Sequence, residues 1–144
     1  MKLVDANVLV YAFNTDADRH AEAKGWLDAA LSGAATVAFA WLPLLAFVRL
    51  TTKAGIFPSP VSTEVAMTQV QDWLAQPSAQ LVQPTVRHPF VLAELLRESG
   101  ATGNLVSDAH LAALAIEHRA HIVSYDTDFE RFAGVRWERP SSAP

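Results

Sequence analysis

The segment "SDAHLAALAIEHRAHIVSYDTDFERF", residues 107–132, decides the fold. Apolar residues recur at helical spacing over residues 106–118, and "HIVSY" at 121–125 is a short apolar run typical of a buried strand. A helix that leads directly into a buried strand is the second half of a β–α–β unit, in which the strands run parallel. Two acids, Asp126 and Asp128, follow that strand.

The rest of the chain alternates in the same way. The opening "KLVDANVLVYAF" (2–13) begins as a buried strand because its apolar residues are continuous, and "TVAFA" (36–40) and "LVQ" (81–83) are typical of further strands. Helices are predicted at residues 20–31, 43–54, 64–75 and 89–99, and a last edge strand is predicted at 135–140. We therefore predict one α/β domain over residues 1–140, with a central, mainly parallel sheet covered on both faces, and a disordered tail at 141–144.

Composition describes a globular protein without thiol chemistry. Hydrophobic residues make up 51% of the chain and charged residues 18%, and there is no cysteine for disulfides or metal thiolates. Residues 29–48 carry no charge, but Ser32, Gly33 and Pro43 divide them into shorter elements, so no transmembrane helix is expected. The first four residues lack the long apolar core of a signal peptide, and we expect a cytoplasmic protein.

Four aspartates are predicted to meet at one edge of the sheet. Asp5 follows the strand "KLV" and Asp126 follows "HIVSY", so both lie at the carboxyl ends of strands, where open α/β sheets bind ligands. Asp108 begins the helix before the second strand, which a right-handed crossover brings to the same edge. Asp128 lies two residues beyond Asp126. Each acid taken singly also fits a helix cap or a turn, which Asn7 could support at Asp5.

Such a cluster has an electrostatic consequence. Carboxylates at close range disfavour joint ionisation, so they take up protons or bind a cation. An acid-rich site without cysteine or paired histidines favours Mg²⁺ or Mn²⁺ over zinc, and His110 is expected to face away from Asp108 on their helix. The net charge of −4 does not exclude an RNA ligand, because two divalent cations would offset it.

Three motifs resemble those of the PIN-domain ribonucleases, and more narrowly the VapC toxins of bacterial toxin–antitoxin pairs. They are "VDANVLVYAF" (4–13), "LLAFVRLTT" (44–52) and the segment at 107–132. The resemblance covers nearly the whole chain and implies a three-layer α/β/α fold. It also implies Mg²⁺-dependent hydrolysis, with Mn²⁺ as a substitute, of phosphodiester bonds in structured RNA such as tRNA or rRNA.

The resemblance also assigns the site residues. It implies metal binding by Asp5, Asp108 and Asp126, and adds Asp128 as a fourth catalytic residue that holds metal or orients water. The family pattern "EFxR" has a glutamate where this chain has Ala46. The alanine removes one oxygen ligand, so weaker binding of one metal ion is expected.

Partners and alternatives follow from the same comparison. A VapC-like toxin is expected to form a homodimer, to be neutralised by a VapB-type antitoxin, and to form a heterotetramer or larger complex with it. Side chains expected to contact RNA phosphates are Arg19, Lys24, Arg49, Lys53, Arg87 and Arg131. The alanine keeps open a second interpretation, a catalytically weakened PIN-like domain that acts mainly as a protein-binding module. A third, phosphoryl transfer of the receiver or phosphatase type, is disfavoured because no lysine follows a late strand.

Overall fold

A computed structural model describes residues 1–141 of the chain. Within them the strands are β1 (Lys2–Val4), β2 (Val37–Phe39), β3 (Ala79–Leu81), β4 (His121–Val123) and β5 (Trp137–Glu138). The helices are α1 (Ala6–Phe13), α2 (His20–Ser32), α3 (Trp41–Thr51), α4 (Thr63–Leu74), α5 (His88–Ser99), α6 (Leu105–His118) and a short 3₁₀ helix (Thr127–Arg131). The predicted tail at 141–144 lies, after its first residue, outside the described residues.

The strands form one parallel sheet in the order β3–β2–β1–β4–β5. The chain moves outward from β1 through β2 to β3, and then returns to place β4 on the other side of β1. The strand order therefore reverses between β1 and β4, and ligands of open α/β sheets bind beside the carboxyl ends of strands at such a point. The predicted fold class, a largely parallel sheet within one α/β domain, is confirmed.

Each central strand contributes side chains to two separate cores. Leu3 and Ile122 pack with α5 and α6 on one face of the sheet, whereas Val4 and Val123 pack with α1 to α4 on the other face. All four are fully buried. Because side chains alternate across a strand, a run without polar residues is what a sheet covered on both faces requires. This is the three-layer α/β/α architecture that the sequence predicted.

The strand predicted at the start of the opening segment is confirmed, but the helix that follows it was not predicted. β1 ends at Val4, and the apolar run that follows is the helix α1. The reason is local, since the Asp5 side chain accepts a hydrogen bond from Ala6 N at 2.8 Å and caps the helix. Val8 and Leu9 are then fully buried against the sheet. An apolar run can form either element, and here the Asp5 cap marks the start of a helix.

Other boundaries moved by one to three residues. β3 spans Ala79–Leu81 rather than 81–83, and α3 begins at Trp41, two residues before Pro43. The charge-free run at 29–48 divides, as expected, into the end of α2, the strand β2 and most of α3. Among residues 1–141 there is no helix that combines the length and apolar character needed to cross a membrane.

Candidate active site

Strand register places Asp5 and Ser124 side by side at the carboxyl edge of the sheet. Val4 is paired with Val123 in the parallel ladder, and Asp5 N donates to the Val123 carbonyl at 3.0 Å. The fully buried Ser124 hydroxyl donates to Asp5 Oδ2 at 2.7 Å and accepts from Asp126 N at 3.0 Å. One hydroxyl group therefore holds the two strand-end acids in a defined relation.

Asn7 completes this network from the first turn of α1. Its Nδ2 donates to Ser124 Oγ at 3.0 Å and lies 3.4 Å from Asp5 Oδ2, while its Oδ1 accepts from Tyr125 N at 3.1 Å. The predicted support of Asp5 by Asn7 is present in the structure. Ser124 was missed by the sequence analysis, although a serine that ends a buried apolar strand beside an acid is a usable signal.

Asp5 combines a structural role with an electrostatic one. It caps α1, and burial raises its pKa, with a further rise from the nearby charge of Asp126. Hydrogen bonds from Ser124 and Ala6 N oppose that rise in pKa because they favour the ionised carboxylate. The cap that explains Asp5 on structural grounds therefore also holds it at the edge of the acid cluster.

The remaining acids form the tightest group. One carboxylate oxygen each from Asp108, Asp126 and Asp128 lies within 4.8 Å of the other two. Asp126 Oδ1 accepts from Asp128 N at 2.8 Å, which caps the 3₁₀ helix, and Arg131 Nη2 donates to Asp128 Oδ1 at 3.2 Å. The geometry thus places Asp128 inside the group, with Asp5 beside it.

Asp108 responds most strongly to this crowding. Its pKa is raised to about 6, first by burial and then by the charges of Asp126, Asp5 and Asp128, against a lowering by Arg131. This carboxyl group is therefore about half protonated near pH 6, well above the range in which an aspartate usually takes up a proton. A cation bound among the oxygens would relieve the repulsion, and hard divalent cations prefer carboxylate ligands of this kind. The donor set therefore fits Mg²⁺ or Mn²⁺.

A cavity of about 240 Å³ opens beside the cluster, and Asp5, Asp108, Ala46 and Arg49 are among the residues that line it. Ala46, the position at which the family resemblance implies a glutamate, lines this cavity with a short side chain.

Neither of two other glutamates fills the place of the missing one. Glu94 is paired with Arg97 on α5, and Glu117 accepts hydrogen bonds from Thr85 and His88. Asp128 is the fourth acid at the site among residues 1–141.

The histidines belong to a different cluster. His88 Nδ1 lies 2.5 Å from Glu117 Oε2, and His88 Nε2 lies 2.9 Å from His110 Nδ1. His110 therefore faces α5 and not the aspartates, as its position two residues after Asp108 predicted. Within the described part of the chain, the acidic group has no histidine member.

Comparison with known proteins identifies the family. The model of the PIN domain matches residues 2–135. The chain is 65% identical over 140 residues to Ribonuclease VapC37 of Mycobacterium tuberculosis, with 97% of each chain covered. It is 35% identical to Ribonuclease VapC33 of the same species, with 97% of this chain and 98% of that one covered. The chain therefore belongs to the PIN-domain family, and within it to the VapC ribonucleases.

Solved structures agree on the fold. VapBC2 from Rickettsia felis, bound to a DNA fragment from its promoter, matches with a TM-score of 0.70 at 20% identity, covering 96% of this chain and 97% of that one. VapC20 of Mycobacterium tuberculosis, described as a toxin that cleaves the sarcin–ricin loop, matches with a TM-score of 0.67 at 18% identity, covering 94% and 99%. At these identities the likeness concerns the architecture alone.

Proposed function

We propose that this chain is a Mg²⁺-dependent endoribonuclease toxin of the VapC type, which hydrolyses phosphodiester bonds in structured RNA such as tRNA or rRNA. The observation that carries the proposal is the group of Asp108, Asp126 and Asp128 oxygens within 4.8 Å of one another, at the edge where the strand order reverses. The 65% identity of this chain to a VapC ribonuclease supports RNA hydrolysis as the class of reaction.

The proposed roles come from the family resemblance, and the grouping of the acids in the structure supports them. Asp5, Asp108 and Asp126 are assigned as the metal-binding acids, and Asp128 as the acid that holds a further ligand position or orients water. When bound, the cation supplies the positive charge that activates water and offsets charge on the phosphate. The cavity of about 240 Å³ beside the acids leaves room for a substrate group.

The surrounding polar groups have a positioning role. Ser124 and Asn7 hold the Asp5 carboxylate by hydrogen bonds, and Ser124 also holds the backbone of Asp126. Arg131 neutralises part of the Asp128 charge. Because these contacts already exist in the folded chain, the acids need little rearrangement when they bind a ligand.

Ala46 supports one competing proposal, a weakened nuclease that acts mainly by binding a protein. Ala46 has no side-chain oxygen, so the cluster lacks the ligand that a glutamate at this position would supply. Asp128 argues against that interpretation, because it brings a fourth carboxylate to the site. Mn²⁺ titration of the unmodified protein separates the two: binding in the micromolar range supports the nuclease, and absence of binding supports the protein-binding module.

We further propose that a VapB-type antitoxin neutralises the protein, that the toxin forms a homodimer, and that toxin and antitoxin assemble into a heterotetramer or larger complex in the cytoplasm. Membership of the VapC ribonucleases supports the antitoxin. Exposed apolar side chains on α3, namely Trp41, Leu42 and Leu45, support a further interface. Size-exclusion chromatography with light scattering, on the toxin alone and with a VapB-type protein, tests both assemblies.

The activity is tested by mapping RNA 5′ ends across the transcriptome after brief induction. The unmodified protein is expected to create discrete new ends, and Asp126→Asn is expected to abolish them. Asp72→Asn is the matched control, because it removes the same charge from an exposed position on α4. New ends that persist in Asp126→Asn, or that never form with the unmodified protein, would contradict the metal-dependent mechanism.

A further inference from the structure

A second group of side chains continues outward from the acids through Tyr125. This residue lies between Ser124 and Asp126, and its backbone N–H is held by Asn7. Its ring leaves the acid cluster and packs edge-on against Tyr11, with the ring centroids 5.4 Å apart. The backbone of Tyr125 is thus fixed by the acid-holding network, and its side chain by its neighbours on the helices.

The first turn of α2 covers this ring. The Arg19 guanidinium carbon lies 4.5 Å from the centroid of the Tyr125 ring, and the Tyr125 hydroxyl donates to Glu22 Oε1 at 2.8 Å. Burial and the Glu22 carboxylate raise the pKa of Tyr125, so the phenol stays neutral and keeps donating. The arrangement places an exposed cation over the face of an aromatic ring, within the distance of a favourable cation–π interaction.

Helix stability does not explain an arginine at this position. Arg19 occupies the N-cap of α2, where its side chain makes no capping hydrogen bond, and a guanidinium has no acceptor with which to cap. A positive charge at a helix amino terminus also opposes the helix dipole, by roughly 0.3–1 kcal/mol at an exposed site. Among residues 1–141, Arg19 forms no ion pair. Its charge is therefore free to bind an anion.

We propose that Arg19, held over the ring of Tyr125, is a substrate-binding residue that contacts a backbone phosphate of the RNA strand next to the cleavage site. The inference rests on the proposed ribonuclease function and extends it by a defined subsite. Stacking on Tyr125 restricts the rotamers of Arg19 before RNA binds, so less entropy is lost when its N–H groups meet a phosphate. The cation also offsets the repulsion between RNA and the aspartates.

The phosphate is favoured over the base as the group recognised. A guanidinium fork matches phosphate oxygens in two parallel hydrogen bonds, and one face of Arg19 is already covered by Tyr125. The Glu22 carboxylate accepts a hydrogen bond from the Tyr125 hydroxyl, and this bond offsets part of the negative charge of Glu22. Contacts of this kind set the position of a strand without reading its sequence.

The test measures binding of a fluorescein-labelled, random-sequence 20-mer RNA by fluorescence polarisation, in Ca²⁺ and over a range of salt concentrations. Arg19→Gln is expected to weaken binding roughly five- to tenfold and to reduce the slope of log K against log salt by about 0.7, the value for one phosphate contact on a single strand. Arg136→Gln is the matched control, since it removes the same charge from an exposed position before β5, at the opposite edge of the sheet.

Tyr125→Phe and Tyr125→Leu separate the ring from its hydroxyl. Phe keeps the ring under Arg19 and is expected to preserve the salt slope, whereas Leu removes the aromatic face and is expected to weaken binding. Thermal unfolding serves as a second readout: Arg19→Gln is expected to leave the melting temperature nearly unchanged, because the loss of the cation–π contact and the relief of an unfavourable helix-dipole interaction are similar in size.

Three results would overturn the subsite: no measurable RNA binding by the unmodified protein, an unchanged slope in Arg19→Gln, or the same loss in Arg136→Gln. Failure of the ribonuclease proposal has a different signature, because binding in Ca²⁺ requires no cleavage. An unmodified protein that binds the 20-mer through Arg19, but creates no new RNA ends in Mg²⁺, would retain the subsite and lose the catalytic assignment.

Discussion

The two ends of α6 each carry a buried or half-buried acid, and the two acids have opposite environments. Glu117, in the last turn, has no exposed side-chain surface, and it accepts hydrogen bonds from Thr85 N at 2.9 Å, Thr85 Oγ1 at 2.6 Å and His88 Nδ1 at 2.5 Å. Asp108, in the first turn, faces three other aspartates, and Arg131 is the one group among the described residues that opposes their effect. The surroundings of Glu117 supply hydrogen-bond donors to its carboxylate, whereas the surroundings of Asp108 place other carboxylates beside it.

The pKa values move in opposite directions for this reason. Burial alone raises the pKa of Glu117, but hydrogen bonds from Thr85 and His88 lower it below its ordinary value. Burial and like charge together raise the pKa of Asp108 to about 6. A buried carboxylate is therefore no mark of a functional site by itself. A buried carboxylate indicates a functional site when the protein leaves its charge uncompensated, because such a charge is available to a ligand.

Removal of Glu117, the acid that is held by hydrogen bonds, is expected to have the largest effect on stability. Glu117→Ala leaves His88 and the Thr85 N–H without their acceptor, and should lower the free energy of unfolding by about 3 kcal/mol. Thermal unfolding in EDTA should show a fall in melting temperature of about 10 °C for a chain of this size. Glu130→Ala, on the exposed side of the 3₁₀ helix, is the control. An equal melting temperature in both variants would remove the structural role assigned to Glu117.

Ser124→Ala tests the crowded site through the hydroxyl group that holds it together. The change removes the donor to Asp5 and the acceptor for Asp126 N. Groups that orient metal ligands typically contribute roughly 10- to 100-fold to metal affinity, and we expect a loss of Mn²⁺ affinity in that range by isothermal titration calorimetry. Ser32→Ala, at an exposed position, should bind Mn²⁺ like the unmodified protein. Unchanged affinity in Ser124→Ala would show that Asp5 is held without the hydroxyl group.

Ala46→Glu should sharpen the contrast by adding a carboxylate to the open wall of the cavity. We expect Mn²⁺ affinity to rise about tenfold, which corresponds to about 1.4 kcal/mol. Ala46→Gln has the same side-chain length without the charge, and should give little or no gain. If both variants bind Mn²⁺ equally, the added side chain does not reach the ion.

The smallest expected effect is the pH dependence that Asp108 gives to the metal-free protein. Its pKa is raised from 3.8 to about 6 in the folded chain, so the folded state binds its proton more tightly. The resulting stability is fully present below pH 3.8 and is lost as the pH rises through about 6. Because the group is half-exposed, we expect about 1 kcal/mol after solvent screening.

Urea unfolding in EDTA between pH 5 and 7 checks this expectation, with the interval taken from the pKa of about 6. The free energy of unfolding should decline less steeply in Asp108→Asn than in the unmodified protein, and Asp72→Asn serves as the exposed control. The same slope in all three proteins would show that the crowding at Asp108 has no effect on folding.

Some features of the fold could be predicted from the sequence, and others could not. The alternation of helices and apolar strands was enough to predict a parallel sheet with both faces covered, because two-sided burial requires strands without polar residues. The helix after Val4 was not predicted, since an apolar run has no period that separates a buried helix from a buried strand. The cap at Asp5, which decides the matter, is a side-chain contact.

The site was predictable as a set of acids but not as an arrangement. Asp5 and Asp126 could be placed at strand ends, and Asp108 at the same edge, from their positions in the chain. The membership of Asp128 in the tightest group depends on the turn that bends it back onto Asp126. The roles of Ser124 and Glu117 depend on partners more than 100 and about 30 residues away, respectively.

The sequence by itself determined the order of elements, the two-sided core and the chemical character of the site, because periodicity and residue type are local properties. The tertiary structure alone decided which acid is compensated and which is not. Asp108 and Glu117 lie nine residues apart on one helix, yet one meets other carboxylates and the other meets hydrogen-bond donors. That difference depends on strand register and on how α5 packs against α6, and distances of a few ångströms between such elements determine a carboxylate's charge and its use.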